Sequence, residues 1–352
     1  MTLLHPRQYW IVAGVALIGA GIGVGYVLVR FQFAWDTIAR GVIIGALISG
    51  TMVFAELAER VNPFLAALRR LPFALFLLVR MALRLLVIVG IMLAIRLLIP
   101  LDDAPFAAGL VFDAIFALGV SILISLVFEI DRLLGPGTLW RLLTGGYHTP
   151  RIEHRAFLFL DLEGSTAIAA RIGPERFLAL LDHLTRIVSP AFLAHRGEIY
   201  RYVGDAIIVS WPVEAAVRDA RILRCLGDAV GRLLAAREDC QARFGVAPFG
   251  RAALHAGPVA VGEVGEVKRE ITFLGDTLNA VAKMEKFAGE RQLRTILSED
   301  LLAGLDLPPG FAVTPAGTLE LPGRERPLGL YALDFRPVVP AVRRRGRFTR
   351  SG

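Results

Sequence analysis

The sequence predicts an α-helical transmembrane domain of about four spans followed by an α+β domain, and three observations support this. The chain has 352 residues, which suits about two domains. Hydrophobic residues make up 55% of it, more than is usual for a soluble protein. That excess lies almost entirely before residue 131, whereas short strand patterns alternate with amphipathic helices from residue 156 onward.

Four apolar stretches are long enough to cross a bilayer, which takes about 20 residues each. Arginines are concentrated before the first stretch, between the second and third, and after the fourth. This bias predicts a multi-pass protein of the cell inner (plasma) membrane, in contact with membrane lipid, with both termini and the second domain in the cytoplasm. The domain covers 1–130, and its predicted spans are roughly 10–29, 41–58, 73–99 and 107–130.

The glycine-rich segment GAGIGVG, residues 19–25, resembles a dinucleotide-binding loop but lies inside the first predicted span. A nucleotide loop needs a preceding strand and a surrounding βαβ unit. We therefore expect Gly21 and Gly25, spaced as in Gly-x-x-x-Gly, to let two membrane helices pack closely.

Four ionisable residues fall in or near the predicted spans: Glu56, Arg80, Arg84 and Asp113. Charged groups in a bilayer are costly and often functional. Glu56 could pair with one of the two arginines near the cytoplasmic face. Alternatively, the arginines extend to the membrane edge while only their aliphatic stems are buried.

Residues 131–155 are predicted to form a connector, because glycine and proline breakers flank a short apolar segment. Leu139, Trp140, Leu142 and Leu143 suggest an amphipathic helix at the membrane surface, which either transmits motion or is a passive spacer. Residues 336–352 are predicted to be a basic, disordered tail able to touch anionic lipid.

The net charge of +7 raises nucleic-acid binding as a possible function. No nucleic acid is expected as a partner, because many arginines flank apolar segments and no DNA- or RNA-binding pattern is present. Cys225 and Cys240 do not form a metal-binding pair, and we expect two reduced core thiols rather than a disulfide.

The second domain contains several local structure signals. Residues 198–203 and 206–211 are predicted strands around a Gly204-Asp205 turn. A second hairpin is predicted from 251–256 and 259–264, around Gly257-Pro258. Helical spacing over 174–188 begins with a proline, which is favourable in a first turn.

Two carboxylates follow apolar strands in this domain. Asp161 ends the strand FLFL, and Asp205 lies in the tight turn before the next apolar strand. Both are expected at one edge of a sheet, where two carboxylates together with substrate phosphates suit Mg²⁺. Taken separately, Asp205 could instead be a turn former, and Asp161 the cap of a helix that begins near Ser165.

The second domain contains four motifs, which occur along the chain in the order FLFLDLEGST, GEIYRYVGDAIIVSW, ALHAGPVAVGEVG and FLGDTLNAVAKME. Together they resemble class III adenylate and guanylate cyclase catalytic domains of the bacterial membrane-anchored type. The resemblance implies a cyclase domain over 156–335 with a ferredoxin-like βαββαβ core. It also implies a homodimer with sites shared between the chains, and conversion of ATP to 3′,5′-cyclic AMP and pyrophosphate.

The resemblance assigns roles to individual residues. Asp161 and Asp205, with the carbonyl of Leu162, would bind two Mg²⁺ or Mn²⁺ ions per site. Asn279 would orient the ribose, and Lys283 would stabilise charge on the α-phosphate from the partner chain. The family usually has arginine at the position of Lys283, and lysine lacks the planar guanidinium fork.

The resemblance also places three residues against the substrate. Arg201 and Thr272 would read the base, and Arg324 would contact the triphosphate. Because adenine N1 accepts a hydrogen bond, the cationic Arg201 favours ATP over GTP. Two alternatives stay open, namely a guanylate cyclase and a catalytically degenerate receptor or scaffold that binds nucleotide.

Three other polar residues in these motifs are expected to have structural roles. His255 is expected to be a hydrogen-bonded structural histidine, and Ser165 and Thr166 to cap a helix rather than act as nucleophiles.

Overall fold

The computed structural model describes residues 6–30, 35–61, 72–98, 110–134, 147, 149–267 and 270–337. The chain divides into two compact units, residues 1–133 and 134–352. The predicted connector helix around Trp140 lies outside the described residues, as does the basic tail from residue 338 onward.

The described residues of the first unit form four long apolar helices, as predicted. Three of them, the first to the third, contain windows long and apolar enough to cross a membrane, while the apolar stretch of the fourth, Phe112–Val127, is shorter. The helices are α1 (Pro6–Arg30), α2 (Trp35–Val61), α3 (Phe73–Leu98) and α4 (Leu110–Leu134).

Helices α1 and α2 cross at glycines, but not at the glycines that the sequence suggested. A methyl group on Gly23 would collide with the backbone carbonyl of Gly41, whereas no atom of the described residues lies within 4 Å of one placed on Gly21 or Gly25. Gly19 approaches the opposing helix in the same way, at Gly45. The prediction for Gly21 and Gly25 was therefore wrong by two positions, which on a helix corresponds to the opposite face.

A pair of matched substitutions tests this crossing. Gly23→Leu should lower the melting temperature of the detergent-solubilised chain, because the added side chain overpacks the crossing at a cost of about 1–3 kcal/mol. Gly21→Leu adds the same atoms on the open face and should leave the melting temperature within about 2 °C of wild type. Equal losses for the two variants would contradict the crossing.

The four ionisable residues that the sequence placed in or near the spans are paired. Glu56 accepts hydrogen bonds from Arg80 and, at 3.0 Å, from Arg84. Asp113 is buried, accepts a hydrogen bond from Tyr26 and lies 3.3 Å from Arg30. The ion-paired interpretation of Glu56 is thus confirmed over extended arginines, and pairing offsets part of the cost of burying these charges.

The second unit is built on one mixed sheet with the order β2-β3-β1-β4-β6-β8-β7, and β5 pairs with the outer half of β4. Among the strands that the structure describes, β4 and β6 pair in parallel and the other pairings are antiparallel. The strands are β1 (Arg151–Leu162), β2 (Glu198–Val203), β3 (Ala206–Pro212), β4 (Gly250–Val264), β5 (Glu270–Leu274), β6 (Thr295–Ser298), β7 (Phe311–Leu319) and β8 (Leu328–Phe335).

Helices connect the strands so that β1 to β4 form the expected ferredoxin-like βαββαβ core, with spatial order β4-β1-β3-β2. Helix α6 begins with Pro174 as predicted, and it buries Leu180, Leu184 and Val188 in the core although its composition would also suit a membrane span. The helices are α5 (Ser165–Ile172), α6 (Pro174–Ala194), α7 (Val213–Val217), α8 (Arg221–Ala235), α9 (Arg237–Phe244), α10 (Asp276–Glu290) and α11 (Glu299–Leu302).

The predicted hairpin at Gly257-Pro258 is wrong, because β4 runs straight through it as a 15-residue strand. Pro258 lies opposite His154 of β1, and its carbonyl accepts a hydrogen bond from the Thr277 hydroxyl at 2.7 Å. Gly257 is required for packing rather than turning, since a methyl group there would lie 2.6 Å from Thr277 Oγ1.

Strand β1 begins at Arg151, five residues before the predicted boundary at Ala156. The charged start of the strand is possible because its buried charge is paired. Arg155 is 2% exposed, donates to Glu198 at 2.6 Å and to Ser210 at 2.7 Å, and lies over the Phe273 ring. A charge this deeply buried is tolerated only with such partners.

The sheet separates two apolar clusters. One face of β1, from Ala156 to Leu162 in alternate positions, packs under α6 and α8, while Phe157 on the other face packs with β5 and α10. Cys225 and Cys240 are both free and buried, as predicted, and burial raises the pKa of both thiols.

Candidate active site

Asp161 and Asp205 lie side by side, as the sequence predicted. Strands β1 and β3 are antiparallel neighbours with Leu160 opposite Ile207, so the end of one strand meets the start of the other. Gly204, with φ of +61°, makes the tight turn that delivers Asp205 to this edge. A conformation of this kind is readily adopted by glycine.

The two carboxyl groups perturb one another. Burial, followed by the hydrogen bond and the negative charge of Asp205, raises the pKa of Asp161 to about 7. Two carboxylates at such close range do not ionise together easily without a counter-charge. The site therefore needs either a proton or a cation.

The atoms present fit a divalent cation. Asp205 Oδ2 is buried and accepts no hydrogen bond from any donor in the described part of the chain. A buried, unpartnered carboxylate oxygen is costly unless it meets an ion. The described residues hold no group of three or more His, Cys, Asp or Glu side chains able to bind a metal. Mg²⁺, however, commonly takes one or two carboxylates and completes its shell with substrate phosphates and water.

A groove opens beside the two aspartates. It is lined by both carboxylates and by residues of α6 and of the loop before β4. Leu162, the predicted carbonyl ligand, lines the same groove, and its backbone N–H donates a hydrogen bond to Asp161. All three predicted metal-site residues are thus brought together.

Arg251 and Glu285 are neighbours of this site that the sequence did not suggest. Arg251 lies opposite Asp161 in the β1–β4 register, and its Nη1 is 3.1 Å from Glu285 Oε1. Its Nη2 lies 3.9 Å from the half-exposed Glu163. Only the strand register could have revealed Arg251, because it is 90 residues from Asp161 (251 − 161).

Asn279 and Lys283 lie on the exposed face of α10, opposite the buried Ala280, Val281 and Met284. Successive helical residues are about 100° apart around the helix axis. Lys283 and Glu285 are two positions apart, so they point to nearly opposite sides of α10. Glu285 contributes to the raised pKa of Asp161 in the same chain. Lys283 therefore faces away from Glu285 and the carboxylates beside it, while Asn279 lies about 120° from Glu285 around the same helix.

The two predicted base-reading residues lie on β2 and β5. Arg201 Nη2 is 2.8 Å from Glu270 Oε2, and the side chains of both are 42% exposed. Thr272 lies two residues beyond Glu270 on the same strand. Arg201 is therefore ion-paired with a residue that the sequence did not suggest.

The other predicted polar residues have varied surroundings. Arg324 is paired with Asp300 at 2.5 Å on the surface. His255 is buried, its Nδ1 lies 2.8 Å from Ser298 Oγ, and burial lowers its pKa to about 4, so it is a neutral structural histidine as expected. The capping role of Ser165 and Thr166 was wrong, because Gly164 occupies the N-cap and no side chain caps the helix.

Comparison with known proteins agrees with this geometry. Residues 148–334 match the adenylate and guanylate cyclase catalytic domain family. The chain is 36% identical over 219 residues to "Adenylate cyclase 2" of Rhizobium meliloti, covering 62% of this chain and 60% of that relative. It is 27% identical over 198 residues to an uncharacterised protein of Mycobacterium tuberculosis, covering 54% and 32%. The chain thus spans between about a third and 60% of the length of these relatives.

Among solved structures, a bacterial light-regulated adenylyl cyclase superimposes with a TM-score of 0.51 at 16% identity, covering 62% of this chain and 66% of that one. This likeness concerns the fold alone. The family match covers more than half of the chain and includes both aspartates and all of α10. This protein therefore belongs to the adenylate and guanylate cyclase catalytic domain family.

Proposed function

We propose that the chain is a membrane-anchored adenylate cyclase that converts ATP to 3′,5′-cyclic AMP and pyrophosphate. The observation that carries the proposal is the pair of adjacent carboxylates, Asp161 and Asp205, one of which has a buried oxygen without a donor. The 36% identical relative named as an adenylate cyclase supports the choice of reaction. The four apolar helices support membrane anchoring, with the catalytic unit and both termini on the cytoplasmic side.

In the proposed mechanism Asp161, Asp205 and the Leu162 carbonyl would hold two Mg²⁺ or Mn²⁺ ions. Such ions, when bound, lower the pKa of the ribose 3′-hydroxyl and stabilise charge on the triphosphate. The deprotonated 3′-oxygen bonds to the α-phosphorus in line, and the bond from that phosphorus to the β-phosphate oxygen breaks. Pyrophosphate leaves with the electron pair, and the hydroxyl proton passes to water.

The remaining residues position the substrate and stabilise charge, which is how phosphoryl-group reactions are mainly accelerated. Asn279 orients the ribose, and Lys283 donates to the α-phosphate as negative charge grows there. Arg201 and Thr272 hold the base. Arg324 leaves its ion pair with Asp300 and binds the triphosphate instead.

We further propose that the sites are shared between two chains. Asn279 and Lys283 lie on the exposed face of α10 and Lys283 faces away from the carboxylates of its own protomer, so a partner's aspartates would complete each site. A homodimer of this kind has two equivalent sites at one interface. The membrane helices would hold the two chains at high local concentration.

The proposal is tested by assaying the purified 352-residue chain with ATP or GTP and with Mg²⁺ or Mn²⁺. We expect cyclic AMP as the main product, with kcat/KM for ATP at least about tenfold above that for GTP, because Arg201 donates to adenine N1. Guanylate cyclase is the second candidate, and a GTP preference would establish it instead. No cyclic product from either nucleotide, in a sample shown to be dimeric, would indicate the degenerate nucleotide-binding scaffold.

A further inference from the structure

We propose that Glu270 is a second base-reading residue, which accepts a hydrogen bond from the 6-amino group of adenine while Arg201 donates to N1. This inference rests on the proposed adenylate cyclase function and extends it to a residue that no sequence motif singles out.

The pair spans two distant strands. Arg201 on β2 and Glu270 on β5 are 69 residues apart in sequence (270 − 201), yet Nη2 and Oε2 lie 2.8 Å apart. The contact is fixed by a neighbouring one, in which the Phe273 N–H donates to Tyr200 Oη at 3.1 Å and the two rings pack at 4.5 Å between centroids.

Alternation along the strands puts the pair on the side of β5 that carries Thr272. Side chains two residues apart point to the same face of a strand, so Glu270 and Thr272 share a face and Phe273 points the other way. Arg201 reaches Glu270 with its Nη2, so the guanidinium lies on the face shared by Glu270 and Thr272. The predicted base-reading residues and Glu270 therefore face the same space.

The chemistry of the pair matches the edge of adenine. A guanidinium offers only donors and a carboxylate only acceptors. Adenine presents an acceptor, N1, directly beside a donor, the 6-amino group, so Arg201 and Glu270 satisfy both at once. In the same pose guanine would turn O6 toward Glu270 and N1–H toward Arg201. Both contacts would then be repulsive, which gives discrimination by mismatch as well as by match.

The exposure of the pair agrees with substrate contact rather than a purely structural role. Both side chains are 42% exposed, and pairs that are this open to water contribute little to stability. Enclosed beneath a bound base, the same charges would interact much more strongly.

A substrate analogue separates the two contacts. Purine riboside 5′-triphosphate lacks the 6-amino group but keeps N1. For wild type we expect kcat/KM and affinity about 10- to 100-fold better for ATP than for this analogue, the usual size for a hydrogen bond to a charged group. In Glu270→Ala that preference should fall to about threefold or less, while Glu270→Gln, whose amide oxygen still accepts, should keep part of it.

Glu238→Ala provides the matched control, because Glu238 is an exposed glutamate on α9, in the helical layer on the other face of the sheet. It should keep the full preference for ATP over the analogue. An unchanged preference in Glu270→Ala would overturn the inference and leave Glu270 as a counter-ion of Arg201. If wild type makes no cyclic product, the ratio of equilibrium dissociation constants decides the inference separately from the proposed function.

Discussion

Asp205→Asn should reduce cyclic AMP formation by about a thousandfold or more, because in the proposed mechanism several kilocalories per mole of charge stabilisation depend on the cations that Asp205 would hold. The amide keeps the size of the side chain, so the fold should be retained. Asp161→Asn should have the same effect on turnover. Product formation at saturating ATP and Mn²⁺ is the measurement, with Glu163→Gln as the matched control, since Glu163 is half-exposed beside the site.

The same substitutions should stabilise the metal-free protein, which distinguishes a lost function from a lost fold. Burial and the charge of Asp205 raise the pKa of Asp161 to about 7 in the native state, against about 4 in an unfolded chain. Between these values the native state keeps a proton that the unfolded state has released, so stability falls as pH rises through this window. Asp161→Asn should therefore raise the melting temperature at pH 8 and have much less effect at pH 4.

Added Mg²⁺ with nucleotide should raise the melting temperature of wild type at pH 8 and leave that of Asp161→Asn nearly unchanged, because only wild type gains a bound cation. Melting curves with and without Mg²⁺ are the measurement. A variant that loses activity together with its melting transition would instead show that the aspartates support the fold.

The features that the sequence predicted well depend on short segments. The strand FLFL, the Gly204-Asp205 turn and the proline at the start of α6 each carry their signal within a few residues. Asp161 and Asp205 could be brought together from this information, because both end or begin apolar strands next to a tight turn. The four apolar helices were predictable for the same reason, since length and composition define them.

The features that were missed depend on pairing between distant segments. Gly257-Pro258 has the local signal of a turn, but its surroundings are set by β1 and by Thr277, far away in sequence. The partners of Arg201 and Arg324 depend on strands and loops brought together only by the fold. The glycine face of α1 was misassigned because both Gly-x-x-x-Gly spacings occur there, and only the opposing helix distinguishes them.

The second large effect concerns the sharing of sites between chains. Asp161→Ala and Lys283→Ala should each be inactive alone. The first lacks a carboxylate to bind the cations, and the second lacks the ammonium group that stabilises the negative charge growing on the α-phosphate. In a mixed dimer, one of the two sites would combine the intact Asp161 of one chain with the intact Lys283 of the other. Random pairing makes half of all dimers mixed, so about a quarter of wild-type activity should return.

The most direct test of the account is cyclic AMP formation by chains co-expressed as Asp161→Ala with Lys283→Ala. We predict about a quarter of wild-type activity for this mixture. We predict none for the matched mixture of Asp161→Ala with Asp205→Ala, in which every site lacks a carboxylate. An inactive Asp161→Ala and Lys283→Ala mixture, in samples shown to contain mixed dimers, would contradict a site built from the aspartates of one chain and α10 of another.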